Sequence, residues 1–323
     1  MLKSFRLNDN ISISDSIQDQ TLSLEEWRIS EKTVKKIRNK EIRDHPCPGC
    51  HSSKSLVFFE KWGVKYLICQ DCGSIYAICA QNEINDFNKS TELLSLRESS
   101  NYQKDAFNRR IATWKDFLEW LQFRIFRFTG KKAGLSVLDY GNRYVGFIEL
   151  ISHHDMFASY SLYDSIIKTQ YSISSTGEKR YDAILYFNKI QQSLNPLHDF
   201  LALKDRLTSD GLLFFQSRVS SGFDILTLRG LNDKIFPFEQ IFIPSKEILC
   251  SLLKEAGFEI LEITTPGELD VNYVYQRRKE LNSDNLFTRY MFNTASPETL
   301  VEFQRFLQKN SMSSFIQIIA RKR

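Results

Sequence analysis

The sequence predicts an α/β protein: a small module built around four cysteines, followed by a mostly parallel sheet with helices on both faces. The first observation is a pair of Cys-x-x-Cys motifs, separated by eighteen residues, in the first quarter of the chain. The second is an alternation of short apolar strands and amphipathic helices from Leu135 to Ala320. Strands separated by helices form βαβ units, which build parallel sheets covered on both faces.

The size and composition of the chain fit a globular protein of about two domains. The chain has 323 residues, of which 42% are hydrophobic and 25% are charged, and a domain has roughly 150 residues. The 43 basic and 39 acidic residues leave a net charge of +4. This balance does not favour a nucleic-acid or membrane-surface protein.

The segments 1–44, 45–80, 81–101 and 102–323 differ in character. The first is a polar leader that ends in a short amphipathic helix, and the second contains the cysteine motifs. The third is a polar linker, and the fourth is the α/β domain. The chain shows no secretory signal and no apolar run of the ~18 residues that span a bilayer. We therefore expect a cytoplasmic protein without a membrane span, and no disulfide framework.

The cysteine motifs predict a structural zinc site. The predicted ligands are the thiolates of Cys47, Cys50, Cys69 and Cys72. Two Cys-x-x-Cys turns can place four sulfurs in a tetrahedron about 2.3 Å from one ion. A redox role would need a thioredoxin-like βαβ context, which this segment lacks. Because four thiolates complete the shell, His45 and His51 are not needed as ligands, and the closed site is structural rather than catalytic.

The α/β domain begins with a long helix, followed by alternating strands. Apolar residues recur at helical spacing from Phe107 to Phe128, which predicts one helix packed on the core. Apolar, β-rich runs predict strands at residues 135–140, 159–163, 181–187, 211–217, 259–264 and 314–320.

The first strand of this domain ends in a segment suited to ligand binding. Its end carries Asp139 and Gly141, followed by Arg143. In a doubly wound sheet the ligand binds at the carboxyl ends of the strands, and glycine lets the backbone approach it closely. This segment resembles the loop of the class I S-adenosylmethionine-dependent methyltransferases, where an acid is followed by alternating glycines. Arg143 and Val145 stand where that family has two further glycines.

Later segments extend the resemblance over about residues 45–322. Asp164 follows the second strand where the family has an acid that accepts hydrogen bonds from the cofactor ribose, although alignment by one residue would place Tyr163 there. Residues 181–196, 207–215 and 252–260 resemble the fourth strand, the turn into the fifth strand, and the sixth strand with its helix. The segment 236–240 resembles that of a bacterial subgroup with an N-terminal four-cysteine ribbon, often found in surface-polysaccharide and natural-product pathways. Gln240 replaces a histidine of that subgroup.

The resemblance implies a Rossmann-like methyltransferase sheet that binds S-adenosylmethionine. The implied cofactor-binding residues are Asp139, Gly141, Arg143, Asp164 and Asn188. The implied acceptor is a small molecule, such as a nucleotide-sugar or glycan-linked one, with no nucleic-acid partner. No residue is assigned as catalytic. Since neutral amides and Arg143 replace expected groups, a non-catalytic binding or scaffold protein with the same fold is the alternative.

Overall fold

The computed structural model of the protein describes residues 21–38, 45–163, 168–173, 179–267 and 269–323. Most of the predicted polar leader and the ribose-binding candidate Asp164 lie outside these ranges. The described part begins with helix α1, Thr21–Ile37, in the region where the sequence predicts a short amphipathic helix.

The cysteine module folds as a short antiparallel sheet with its two cysteine turns. Its strands from this part of the chain are β1 (Ser55–Lys61), β2 (Val64–Cys69) and β3 (Ile75–Ala77). The two-residue loop between β1 and β2 is Trp62-Gly63, and both residues have positive φ. That conformation is typical of the tight type I′ turn of a hairpin. A β-hairpin therefore lies between the two cysteine motifs.

The larger sheet has seven strands in the described residues. They are β4 (Leu135–Tyr140), β5 (Phe157–Tyr163), β6 (Ser172–Ile173), β7 (Tyr181–Phe187), β8 (Leu207–Arg218), β10 (Phe258–Thr264) and β11 (Phe315–Lys322). The spatial order is β10-β11-β8-β7-β4-β5-β6, and β11 is antiparallel to both of its neighbours. The order reverses between β4 and β7, as in doubly wound sheets. The Rossmann-like α/β fold predicted from the sequence is confirmed by this topology.

Helices cover both faces of this sheet. Besides α1 they are α2 (Gln81–Asn88), α3 (Thr91–Glu98), α4 (Ser100–Thr129), α5 (Val145–Ser152), α6 (Pro196–Asp205), α7 (Phe223–Leu228), α8 (Lys246–Glu255), α9 (Asp270–Gln276), α10 (Leu286–Thr294) and α11 (Pro297–Lys309). Helices α4 and α5 pack on one face with Val137 and Leu185 of the sheet. Helices α6 and α8 pack on the other face.

The long predicted helix is α4. Its first turn is capped by Ser99, whose hydroxyl accepts a hydrogen bond from the Tyr102 amide, and it ends at Gly130 in the left-handed conformation. Its last turn is near the amino edge of the sheet, where Arg321 donates to the carbonyl of Phe128. Its first half therefore lies beside the carboxyl edge.

The cysteine module and the α/β domain share one hydrophobic core. Strand β9 (Phe242–Ile243) comes from the α/β domain and pairs with β3 as the fourth strand of the small sheet. Tyr66 and Tyr76 of that sheet belong to the same buried cluster as Leu213 of the large sheet. The segment predicted as a linker, 81–101, is mostly helical, because Ile84, Phe87 and Leu93 supply apolar faces buried in this core. Among the described residues, no helix is both long and apolar enough to cross a membrane.

Candidate functional site

The four cysteine side chains converge on one point. The ligand atoms of Cys47, Cys50, Cys69 and Cys72 all lie within 4.8 Å of one another. The Sγ–Sγ distances are 3.7 Å between Cys47 and Cys72 and 3.5 Å between Cys50 and Cys69. Four sulfurs about 2.3 Å from a tetrahedral ion are separated by about 3.8 Å. The donor set and its spacing therefore fit a zinc ion.

The two Cys-x-x-Cys turns repeat the same backbone pattern. In the first, His51 donates its amide hydrogen to the carbonyl of Cys47, and in the second Gly73 donates to Cys69. Both donors have positive φ, 60° for His51 and 71° for Gly73. The backbone amide of His51 therefore forms part of the first turn. Both ring nitrogens of His45 lie within 3.2 Å of backbone carbonyl oxygens. The structure brings neither histidine into the four-sulfur cluster.

The second cysteine turn also contacts the α/β domain directly. The Ser74 hydroxyl lies 3.2 Å from the sulfur of Cys72 and accepts a hydrogen bond from the amide of Ser245, the cap of α8. At Gly49, in the first turn, an added Cβ would lie 2.9 Å from a side-chain carbon of Ile248. The four-cysteine cluster therefore lies against the start of α8.

The predicted cofactor loop starts at the point where the strand order reverses. Gly141 follows β4 with φ +78°, and its amide donates to the carbonyl of Tyr163 at the end of β5 at 2.7 Å. An L-residue is disfavoured at this φ. The glycine predicted from the sequence thus joins the carboxyl ends of two adjacent parallel strands.

Asp139 is a buried carboxyl group at the end of β4. Its side chain is 1% exposed, and Oδ2 accepts a hydrogen bond from the hydroxyl of Tyr160 at 2.8 Å. Burial raises the pKa of Asp139 to about 7, because it outweighs the opposing effects of hydrogen bonds from Tyr160 and Asn142. The carboxyl group therefore lies buried between two neighbouring side chains at the carboxyl edge of the sheet.

The space next to Gly141 is filled by Lys189. A Cβ at position 141 would lie 2.5 Å from Cδ and 2.9 Å from Cε of that lysine. Lys189 starts a 3₁₀ turn that follows β7, and its ammonium lies 3.5 Å from the amide oxygen of Gln192. The contact involves the flexible part of a long side chain. A ligand approaching Gly141 from this side must displace it.

Arg143 belongs to a buried network of charges. Its guanidinium lies 3.3 Å from a carboxylate oxygen of Glu239 and 3.9 Å from Glu26. Both carboxylates also pair with Arg97, which is 2% exposed. The two arginines hold the pKa of Glu239 near 2, against the effect of its burial. Side chains from α1, α3 and the 236–240 segment thus surround Arg143.

The remaining predicted cofactor-binding residues are Asn188 and Tyr163, the alternative to Asp164. Asn188 is exposed, has φ 59°, and its side-chain oxygen accepts a hydrogen bond from Gln191. The alternative ribose residue, Tyr163, is half-buried, and its ring lies 4.8 Å from that of Tyr140. The Arg206 guanidinium lies 4.4 Å from the Tyr163 ring centroid.

Sequence reasoning missed three side chains of this region: Tyr160, Lys189 and Glu239. Glu239 lies in the 236–240 segment, in which the family resemblance singles out Gln240. In the structure Gln240 accepts a hydrogen bond from the amide of Phe236 and closes that turn. Nothing in the local sequence around Tyr160 or Lys189 indicates which glycine or carboxylate they contact.

No protein-family model matches this sequence, and no curated protein matches it. Several solved structures are similar to it. One is the plantazolicin methyltransferase BpumL in complex with a triazolic desmethylPZN analogue and S-adenosylhomocysteine, which is 14% identical to this chain. The match covers 75% of this chain and 99% of BpumL, with a TM-score of 0.42. The [4+2]-cyclase SpnF is 15% identical to this chain, and the match covers 62% of this chain and 79% of SpnF, with a TM-score of 0.38. The cyclopropane synthase MmaA2 from Mycobacterium tuberculosis is 15% identical to this chain, and the match covers 62% of this chain and 83% of MmaA2, with a TM-score of 0.34.

Proposed function

We propose that the α/β domain binds S-adenosylmethionine and transfers its methyl group to a small-molecule acceptor. The observation that carries this proposal is Gly141, which has positive φ at the point of strand-order reversal, two residues after the buried carboxyl group of Asp139. Ligands of doubly wound sheets bind at that crevice. The acceptor is proposed to be a nucleotide-sugar or glycan-linked molecule, and the four-cysteine site is proposed to hold one structural zinc.

The residues of the crevice suit the polar parts of this cofactor. Oδ1 of Asp139 can accept a hydrogen bond from a cationic amino group, and such a cation would lower the pKa that burial raises to about 7. Arg143 and Asn188 are proposed to border the same crevice, and Asp164 or Tyr163 to meet the ribose. The cofactor supplies an activated methyl group, so the main task of the protein is to align the acceptor with it.

The contact between Lys189 and Gly141 supports the alternative, a non-catalytic protein with this fold. The lysine carbons occupy space beside the glycine, and Arg143 is already paired with Glu239. If these contacts persist, the crevice admits no cofactor. The two functions differ in whether Lys189 moves.

Calorimetric titration with S-adenosylmethionine separates the two functions. We expect the native protein to bind, and Lys189→Ala to bind with equal or higher affinity because the competing side chain is gone. Lys254→Ala, which removes an exposed lysine of α8, serves as the control and should bind like the native protein. Absence of binding at millimolar cofactor, in both the native protein and Lys189→Ala, would refute the methyltransferase proposal and favour the scaffold.

A further inference from the structure

One face of helix α4 lies against the predicted cofactor loop. Four residues at spacings of four, three and four share that face and form what we call the α4 stripe: Gln103, Phe107, Arg110 and Trp114. Each of them contacts the segment 143–147, which contains the end of the loop and the first turn of α5. The first half of α4 is therefore the wall against which this part of the loop is packed.

Gln103 binds the backbone of the loop on both sides of Tyr144. Its Oε1 accepts a hydrogen bond from the amide of Val145 at 2.9 Å. Its Nε2 donates to the carbonyl of Arg143 at 3.1 Å and to that of Arg97, in the last turn of α3, at 2.7 Å. The amide of Val145 is the first of α5, and the first four amides of a helix have no partner within the helix. One half-buried side chain thus supplies that partner and joins the loop to α3.

The rest of the α4 stripe packs on the loop through its rings. A Cβ at position 146 would lie 2.4 Å from Cδ2 of Phe107, so Gly146 allows the close approach of α4. Gly146 does not have positive φ, and this packing, not the backbone conformation, is what requires glycine there. The Arg110 Cζ lies 4.4 Å from the ring centroid of Tyr144, and the Trp114 ring lies 5.8 Å from it.

The loop residues that follow Gly141 depend on these contacts for their conformation. Neither Arg143 nor Val145 has positive φ, so both positions accept a side chain without backbone strain. The amide of Tyr144 is bonded within the loop by the side-chain oxygen of Asn142 at 2.9 Å. The neighbouring groups, the carbonyl of Arg143 and the amide of Val145, are bonded by Gln103. The path of residues 143–145 is therefore set by a side chain forty residues away in the sequence.

We propose that Gln103 is a positioning residue for the cofactor: it holds residues 143–145 in the conformation that forms the wall of the crevice. This rests on the proposed binding of S-adenosylmethionine beside Gly141. A binding site keeps its geometry only when a second layer of hydrogen bonds fixes the residues that line it. If Gln103 only attached α4 to the domain, its loss would lower stability and leave the cofactor affinity unchanged.

Gln103→Met tests the proposal, because methionine has the same chain length but cannot replace the three hydrogen bonds. We expect calorimetric titration of the full chain to show S-adenosylmethionine binding that is about ten- to a hundredfold weaker. Hydrogen–deuterium exchange without cofactor should become faster in residues 142–147. Gln103→Glu keeps the acceptor for the Val145 amide but loses both donors, so its affinity should be intermediate. Gln81→Met, in an exposed pair with Asn85 on α2, is the matched control and should behave like the native protein.

A second pair of variants tests the same contact through Gly146. Gly146→Ala should weaken cofactor binding and speed exchange in residues 142–147, because the added methyl group displaces the ring of Phe107. The double variant Gly146→Ala/Phe107→Ala removes that ring, and both affinity and exchange should return towards the native values. A double variant no better than Gly146→Ala in either measurement would contradict the role of the α4 stripe.

Urea unfolding identifies conditions in which every variant is folded, and the affinities are compared there. The proposal is wrong if Gln103→Met binds the cofactor as tightly as the native protein, whatever its stability. It is also wrong if exchange in residues 142–147 does not change. Absence of cofactor binding in the native protein would refute the proposed methyl transfer, and the positioning role with it. Binding by the native protein with an unaffected Gln103→Met would refute the positioning role alone.

Discussion

Asp139 should make the protein less stable as the pH rises through the neutral range. Its pKa is about 7 in the folded protein, against 3.8 for an ordinary aspartate, because the carboxyl is 1% exposed. Between pH 5 and pH 7 the folded protein keeps this proton and the unfolded chain has lost it. Stability therefore falls with rising pH, by about 1.4 kcal/mol for each pH unit, or about 2–3 kcal/mol across the interval.

Asp139→Asn removes this titration while keeping an acceptor for the Tyr160 hydroxyl. We expect the free energy of unfolding of the variant, relative to the native protein, to increase by about 2–3 kcal/mol between pH 5 and pH 7. Urea unfolding at several pH values measures it. The control is Asp182→Asn: this residue is hydrogen-bonded to Lys131 and Ser136, and its pKa is lowered.

Since Asp182 is ionised in both states over this interval, its variant should show a difference that does not depend on pH. A pH-independent difference for Asp139→Asn as well would refute the assignment of a buried, protonated carboxyl at the crevice.

Two further predictions concern the zinc site and the charge network. If the four cysteines hold the proposed zinc ion, Cys69→Ser should lose it together with part of the stability, whereas Cys250→Ser, outside the cluster, should keep it. Elemental analysis measures the zinc content, and full zinc in Cys69→Ser would contradict the four-thiolate site. Glu239→Gln should cost about 3 kcal/mol, because it leaves Arg97 buried with one carboxylate fewer. Glu92→Gln, which breaks an exposed pair with Lys32, should cost less than about 1 kcal/mol. Because the pKa of Glu239 is about 2, the contribution of this carboxylate to the free energy of unfolding should be complete above pH 4.5 and disappear as the pH falls towards 2. Equal losses of stability in Glu239→Gln and Glu92→Gln would contradict the buried network.

Much of the fold could be predicted because its signals are local. The strand predicted at residues 135–140 has the bounds of β4, and that predicted at 181–187 has the bounds of β7. Periodicity and turn residues report which segments are apolar on one face. The spacing of Cys47, Cys50, Cys69 and Cys72 likewise indicates one shared ion, since each pair lies on its own turn.

The helices within residues 81–101 are a feature that local sequence patterns do not indicate. The segment 81–101 is polar overall, but three apolar residues, Ile84, Phe87 and Leu93, fall on buried helix faces. In short helices so few apolar residues form no clear period. Their burial depends on the core that the cysteine module and the large sheet build together.

The sequence by itself indicated six strands of the large sheet, the long helix α4, the four-cysteine cluster and the glycine at the end of β4. Only the tertiary structure decided the partners of Arg143, which are Glu26 and Glu239, and the position of Lys189 against Gly141. It also decided that β9 completes the small sheet. The physical reason is distance along the chain: backbone conformation follows from neighbouring residues, whereas contacts between residues 26, 97, 143 and 239 exist only after the helices and the sheet have packed.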